Sequence, residues 1–341
     1  MAHHDFCNII KSSDITGNAM DRANPSRFQD SLVECCSLKK VMETYVLPTL
    51  YGIVFVVGIS LNCTALLAYR GRPRPWSCNT IILFNLTLSD LLYLLNLPIC
   101  MYNYIDQSPM TWPQVIFRCK FTTFAFYQNL YLSITILMWM SVYRCVGVVS
   151  PVRARQILRR RVVILSCVFM WLAVTLGLFK VATLEQTTDS NGTALCHDLV
   201  RSLYENKEFA YSWCLVVFGF LMPYSVIVLC QCVIVRTIRR SRGTMQPARS
   251  RSARLIAATI IMFTISFLPH HIMRVIRLET LSYSPLKCHI REIVNAIYTV
   301  SKPMAGLHMC VNPILYVFSG KVYFTFKRNR IIRLRFIRTV S

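Results

Sequence analysis

Residues 51–69 read YGIVFVVGISLNCTALLAY, a stretch with no charged side chain. At a rise of about 1.5 Å per residue, a helix of this length nearly crosses the roughly 30 Å hydrocarbon layer of a bilayer. Six further blocks of the same kind follow, so that apolar stretches occupy approximately 46–69, 79–104, 116–149, 162–183, 209–235, 255–278 and 292–319. Backbone groups without partners are too costly in lipid for anything but helices or closed barrels. The ten-residue alternating segments of a barrel are missing. The expected fold is an all-α membrane protein, a bundle of seven transmembrane helices. Composition agrees, since 54% of the 341 residues are hydrophobic and only 16% charged, against about 25% charged in a soluble domain.

The net charge of +23 is distributed on one side. Segments 70–78, 144–161, 236–254 and 320–341 hold 23 Lys and Arg and no acid, and all four fall on the same face of a seven-span chain. Such a bias marks the cytoplasmic side, which places the N-terminus on the opposite, outer side. It also attracts anionic inner-leaflet lipid and offers a face for docking a protein, so nucleic acid is not the expected partner. Residues 1–45 then form an extracellular tail, 46–319 the membrane domain, and 320–341 a cytoplasmic tail containing a short amphipathic basic helix near 320–335. Residues 1–30 are polar and lack the apolar core of a cleavable signal, so the first span is expected to act as its own anchor.

Of 15 cysteines, Cys7, Cys35, Cys36, Cys119, Cys196 and Cys288 lie on the oxidising side. Cys119 with Cys196 would staple the second outer loop over the bundle, and Cys36 or Cys35 with Cys288 would tie down the N-terminal tail. Spacing does not fix the connectivity. Asn191-Gly192-Thr193 is a glycosylation sequon on a predicted outer loop.

Polar residues inside the spans carry the functional reading. Asp90 sits mid-span, where a carboxylate costs at least about 2.5 kcal/mol, so it requires partners. Asn62, Ser133, Asn312 and His308 are available. Together they make either a structural hydrogen-bond network or a hydrated core with a sodium ion near Asp90. Nearer the outer face, His270, Arg274 and Arg277 follow i, i+4, i+7 spacing on one helical face, His271 neighbours Arg274, and Lys302 lies in the seventh block. Converging cations with few acids point to a pocket for a small anion, unless Asp198 or Glu279 neutralises them. No HExxH, GxSxG or Walker sequence and no paired mid-span carboxylates occur, so an enzyme is not expected.

These residues carry a family resemblance. Asn62, Leu86–Asp90, Trp112, Cys119, Arg144, Trp171, Cys196, Pro223, Phe263, Pro269 and Asn312-Pro313-Ile314-Leu315-Tyr316 stand in the order of the landmarks of class A (rhodopsin-like) G protein-coupled receptors, over roughly residues 45–325. Within that family, Phe267-Leu268-Pro269-His270-His271-Ile272-Met273-Arg274 and Cys196-His197-Asp198 resemble the purinergic branch. Arg74-Pro75-Trp76, Met273–Glu279 and Val300-Ser301-Lys302-Pro303 are most similar to the 2-oxoglutarate receptor. The resemblance implies a small dicarboxylate such as 2-oxoglutarate as ligand, held by Arg274, Lys302 and Arg277, with His271 and Tyr127 adding hydrogen bonds. It also implies a heterotrimeric G protein meeting Arg144 and Tyr316. The alternative within the branch is a nucleotide receptor; an organic-anion transporter and a non-signalling scavenger receptor are rivals outside it. The chain departs from the branch at Thr123 and Tyr127, where relatives carry Arg and His, and at Tyr143 and Gln231, which replace an acid and a Tyr near Arg144.

Overall fold

The computed structural model describes residues 41–72, 74–105, 115–183, 208–240, 246–282 and 288–318. All regular structure among them is helical. A wide π-turn at Met42–Val46 leads into α1, Leu47–Arg70. The second block forms α2, Cys78–Leu94, and α3, Leu97–Ile105, with the break just before Pro98. Ser77 caps α2 by accepting from the backbone N–H of Thr80. The third block enters through a π-turn at Val115–Phe121 and continues as α4, Thr122–Val149. A short α5, Pro151–Ile157, leads to the fourth block, α6 (Arg160–Gly177) and α7 (Phe179–Thr183). The fifth is α8, Phe209–Val216, then a π-turn at Val217–Leu221 and α9, Met222–Arg240. The sixth is one continuous helix, α10, Gln246–Ser282, with Pro269 inside it. The seventh is α11, Cys288–Gly306, and α12, His308–Phe318, separated at Leu307.

Each expected apolar block therefore coincides with one helical unit, and the sixth extends further toward its basic N-terminal end than apolarity alone indicated. Among the described residues, five of these units already carry a stretch long and apolar enough to cross a membrane by length and composition.

The outside of the bundle is greasy. On α6, Leu165, Phe169, Leu172 and Leu176 are 58–72% exposed, while only Val163, Cys167 and Met170 are buried. A soluble protein does not leave such a stripe in water, whereas lipid satisfies it. α4 is the opposite case: Asn129 through Ile134 are all buried, so it lies at the bundle's axis against α2, α6 and α9. Polar ties link the outer helices to one another. Trp171 Nε1 donates to Asn85 Oδ1 at 3.1 Å, and Asn62 Nδ2 donates to the Met309 carbonyl at 2.8 Å.

Close approach of α1 to α2 depends on Gly58, where an added Cβ would stand 2.7 Å from Leu94 Cδ2. Gly58→Val should destabilise the bundle by about 1–3 kcal/mol through overpacking. Thermal unfolding in detergent checks this; Leu94→Ala in the same chain should restore part of the loss, and an unchanged midpoint for the single variant would contradict the packing.

Candidate ligand-binding site

α10 packs along α11, and from it Arg274 reaches across to Tyr131 of α4, which brings the predicted cations inward. Arg274 is fully buried. Its Nη1 donates to Tyr131 Oη at 2.5 Å, and the guanidinium lies 5.6 Å above the Tyr127 ring centroid. Its Nε and Nη2 have no hydrogen-bond partner, and no ion pair reaches it among the described residues. Nε and Nη2 form the side edge of the guanidinium fork, the edge that meets two oxygens of one carboxylate or phosphate. A desolvated cation with one edge unmet is costly as it stands and favourable once an anion fills it.

The neighbouring cations are arranged around Tyr298, a fully buried ring on α11. Arg277 stands 5.1 Å and Lys302 Nζ 5.0 Å from its centroid, and the Tyr298 and Tyr127 hydroxyls are 3.1 Å apart. The helical face predicted to act as a unit divides here. Arg277 bonds Asn295 Oδ1, and His270 Nδ1 lies 3.0 Å from Ser301 Oγ, so both face α11, while Arg274 reaches α4. His271 stacks on Phe220 of the fifth unit at 4.1 Å, with neither ring nitrogen hydrogen-bonded among the described residues. Asp198 lies outside the described residues. Glu279 is exposed, and among the described residues no ion pair joins it to these cations. Tyr131, Tyr298, Asn295 and Phe220 were not anticipated. Tyr131 had a signal, since it follows Tyr127 by one helical turn.

Deeper in the bundle, Asp90 is fully buried and well supplied. Asn312 Nδ2 donates to Oδ2 at 2.8 Å, Asn129 Nδ2 and Ser133 Oγ donate to Oδ1 at 3.2 and 3.4 Å, and His308 Nε2 is 3.6 Å from Oδ1. Two expectations change. Asn129 is a partner that was missed, and Asn62 does not bond Asp90 but ties α1 to α12. Its amide reaches the Gly58 and Met309 carbonyls, one on its own helix and one across the bundle. Asn312 Oδ1 has no hydrogen-bond partner among the described residues; with the Asp90 oxygens and Ser133 Oγ it makes a set of hard oxygen donors suited to a sodium ion. A line of rings joins the cation cluster to this core: His271 stacks on Phe220, Phe220 lies 5.9 Å from Phe263, and Phe267 packs on Phe263 at 4.9 Å and on His308 at 4.8 Å.

The chain matches the family "7 transmembrane receptor (rhodopsin family)" over residues 61–316. It belongs to that family. It is 34% identical to purinoceptor 4 of Rattus norvegicus over 291 residues, covering 84% of this chain and 80% of that one. Purinoceptor 2 of Homo sapiens is 32% identical over 317 residues, 91% and 82% of the two chains. Purinoceptor 1 of Gallus gallus is 33% identical over 292 residues, 84% and 80%. The purinergic branch is thus the right one, and these relatives favour the nucleotide alternative over the dicarboxylate reading.

At the receptor's basic end, Arg144 Nη2 meets only Met140 Sδ, at 3.4 Å, and no acid restrains it among the described residues. Gln231, at the position of the missing Tyr, donates to Ser141 Oγ at 3.3 Å. Tyr316 lies on α12, but its side chain is outside the described set. Cys119 is disulfide-bonded. Cys196, Cys36, Asn191 and the tail helix near 320–335 fall outside the described residues, and Cys288 opens α11.

Because the Arg274 charge is buried and half met, Arg274→Met should make the ligand-free receptor more stable by about 1 kcal/mol or more. Thermal unfolding of the purified protein without ligand checks this; a clear loss of stability would mean that the guanidinium is already compensated.

Proposed function

We propose that the receptor senses an extracellular nucleotide, binding its phosphates on the unmet Nε/Nη2 edge of Arg274, and signals through a heterotrimeric G protein. The single observation that carries this reading is a fully buried guanidinium with one edge unmet and no acid beside it among the described residues. Relatives named as purinoceptors favour a nucleotide over 2-oxoglutarate as that anion. Lys302 and Arg277 are proposed to meet further phosphate oxygens by leaving the Tyr298 ring, and His271, whose ring nitrogens lack hydrogen bonds, to contribute one. The ligand shifts the bundle's equilibrium only by its differential affinity for the two states. His271, Phe220, Phe263, Phe267 and His308 make a line of ring contacts from the site to the Asp90 core, and Arg144 with Tyr316 form the G-protein end of the proposal.

In this reading the receptor lies in the plasma membrane with its N-terminus outside. The basic segments face anionic lipid and the G protein. Relatives that are receptors speak against the transporter and enzyme readings.

Second-messenger responses of cells expressing the full chain test the ligand. ATP, ADP, UTP and 2-oxoglutarate are applied in parallel, and a nucleotide should be the active class. Arg274→Ala should weaken its potency roughly a hundredfold, as expected for removing one side of a buried charge pair. A response to 2-oxoglutarate alone would return the ligand to the dicarboxylates, and a nucleotide response untouched by Arg274→Ala would remove the site.

The oxygen set around Asp90 is proposed to hold sodium. A bound ion stabilises the state that holds it, so replacing sodium by N-methylglucamine should lower the unfolding midpoint of the ligand-free receptor. Asp90→Asn should abolish that dependence. Equal midpoints of the unsubstituted receptor in both salts would argue against a bound ion.

A further inference from the structure

Arg274 presents its side edge because the opposite end of the guanidinium is held. The holding group is Tyr131 Oη, which receives the Nη1 proton at 2.5 Å. Tyr131 is itself buried, its ring stacked near Tyr127 at 6.1 Å and tilted against His271 at 5.9 Å. The remaining wall is a backbone. In the π-turn Val217–Leu221, an added Cβ on Gly219 would stand 2.5 Å from Tyr131 Cε1 and 2.8 Å from Cδ1. No such contact is tolerated between real atoms, and the atoms met belong to a confined ring, not to the free end of a flexible chain. Any larger residue at 219 therefore displaces the ring. A shift of about 1 Å is enough to take a hydroxyl out of hydrogen-bond range.

We propose that Tyr131, seated by the bare backbone of Gly219, is a positioning residue of the ligand site: it holds Nη1 of Arg274 and thereby turns Nε and Nη2 toward the incoming anion. The fifth helical unit thus sets the orientation of a sixth-unit cation that it need not touch. The consequence for binding rests on the reading that Arg274 meets the ligand. The placement of the guanidinium does not, and it can be measured without any ligand.

The ligand-free arm uses the purified full-length receptor and phenylglyoxal, which condenses with two nitrogens of one guanidinium. Adduct formation at Arg274 is followed by peptide mass, with Arg239, near the end of α9, as internal reference. Gly219→Ala and Tyr131→Phe should each speed modification of Arg274 several-fold relative to Arg239. Unchanged rates in both variants overturn the proposal, whatever the ligand.

The second arm is the potency of ATP and UTP in cells at matched surface expression. Each substitution should weaken potency roughly tenfold, the scale of one charge-assisted hydrogen bond. The double variant should be no weaker than the worse single one, within about twofold, because both changes act through the same hydroxyl. Multiplying shifts would show separate routes and overturn the proposal. Faster Arg274 modification with no nucleotide response would support the positioning role and sink the nucleotide reading alone.

Discussion

A guanidinium withdrawn from water with no carboxylate beside it among the described residues is the constraint around which the outer half of this bundle is organised. Arg274 has one hydroxyl, one aromatic face and an open edge. A protein that needed only stability would place an apolar side chain there. What surrounds it follows from that burden: Tyr127 and Tyr131 supply the ring face and the oxygen, and Gly219 supplies the space for the second ring. On the proposed reading, binding an anion would convert a local cost into a local gain.

The same logic recurs at Asp90, with the sign reversed. There the lone charge is an anion, and three side-chain donors from α4 and α12 meet it directly. The two charges are bridged by aromatic rings, with Phe267 in contact with both Phe263 and His308. Contact along such a line is a route by which a rearrangement at one end can be felt at the other.

Helix number, helix position and the inward placement of Arg274 and Asp90 were all legible in the sequence, because each rests on a rule of composition. Apolar length sets spans, and ions in hydrocarbon must face inward. The finer allocation was not legible. Periodicity put His270, Arg274 and Arg277 on one face, yet a helical face is wide enough to meet two neighbours, and only packing decided that Arg274 meets α4 and the others α11. Asn62 was expected beside Asp90 and Asn129 was not, since which of them reaches it depends on the depth at which α1 and α4 cross α2. The role of Gly219 was invisible for a related reason: it consists of an empty volume, and the ring that fills it, Tyr131, belongs to a helix far earlier in the chain. The ligand class read from short motifs pointed to dicarboxylates, and whole-chain similarity favours nucleotides.

The single ring of Tyr298 carries two cations, Arg277 at 5.1 Å and Lys302 at 5.0 Å from its centre. The ring's quadrupole partly screens two like charges that would otherwise repel. On the proposed reading, in which both cations turn to the ligand, the pair would respond to valence. A monovalent ion could meet one of them, whereas a polyanion could draw both from the ring together. Discrimination of this kind depends on how many charges an ion brings before it depends on what the rest of the molecule looks like.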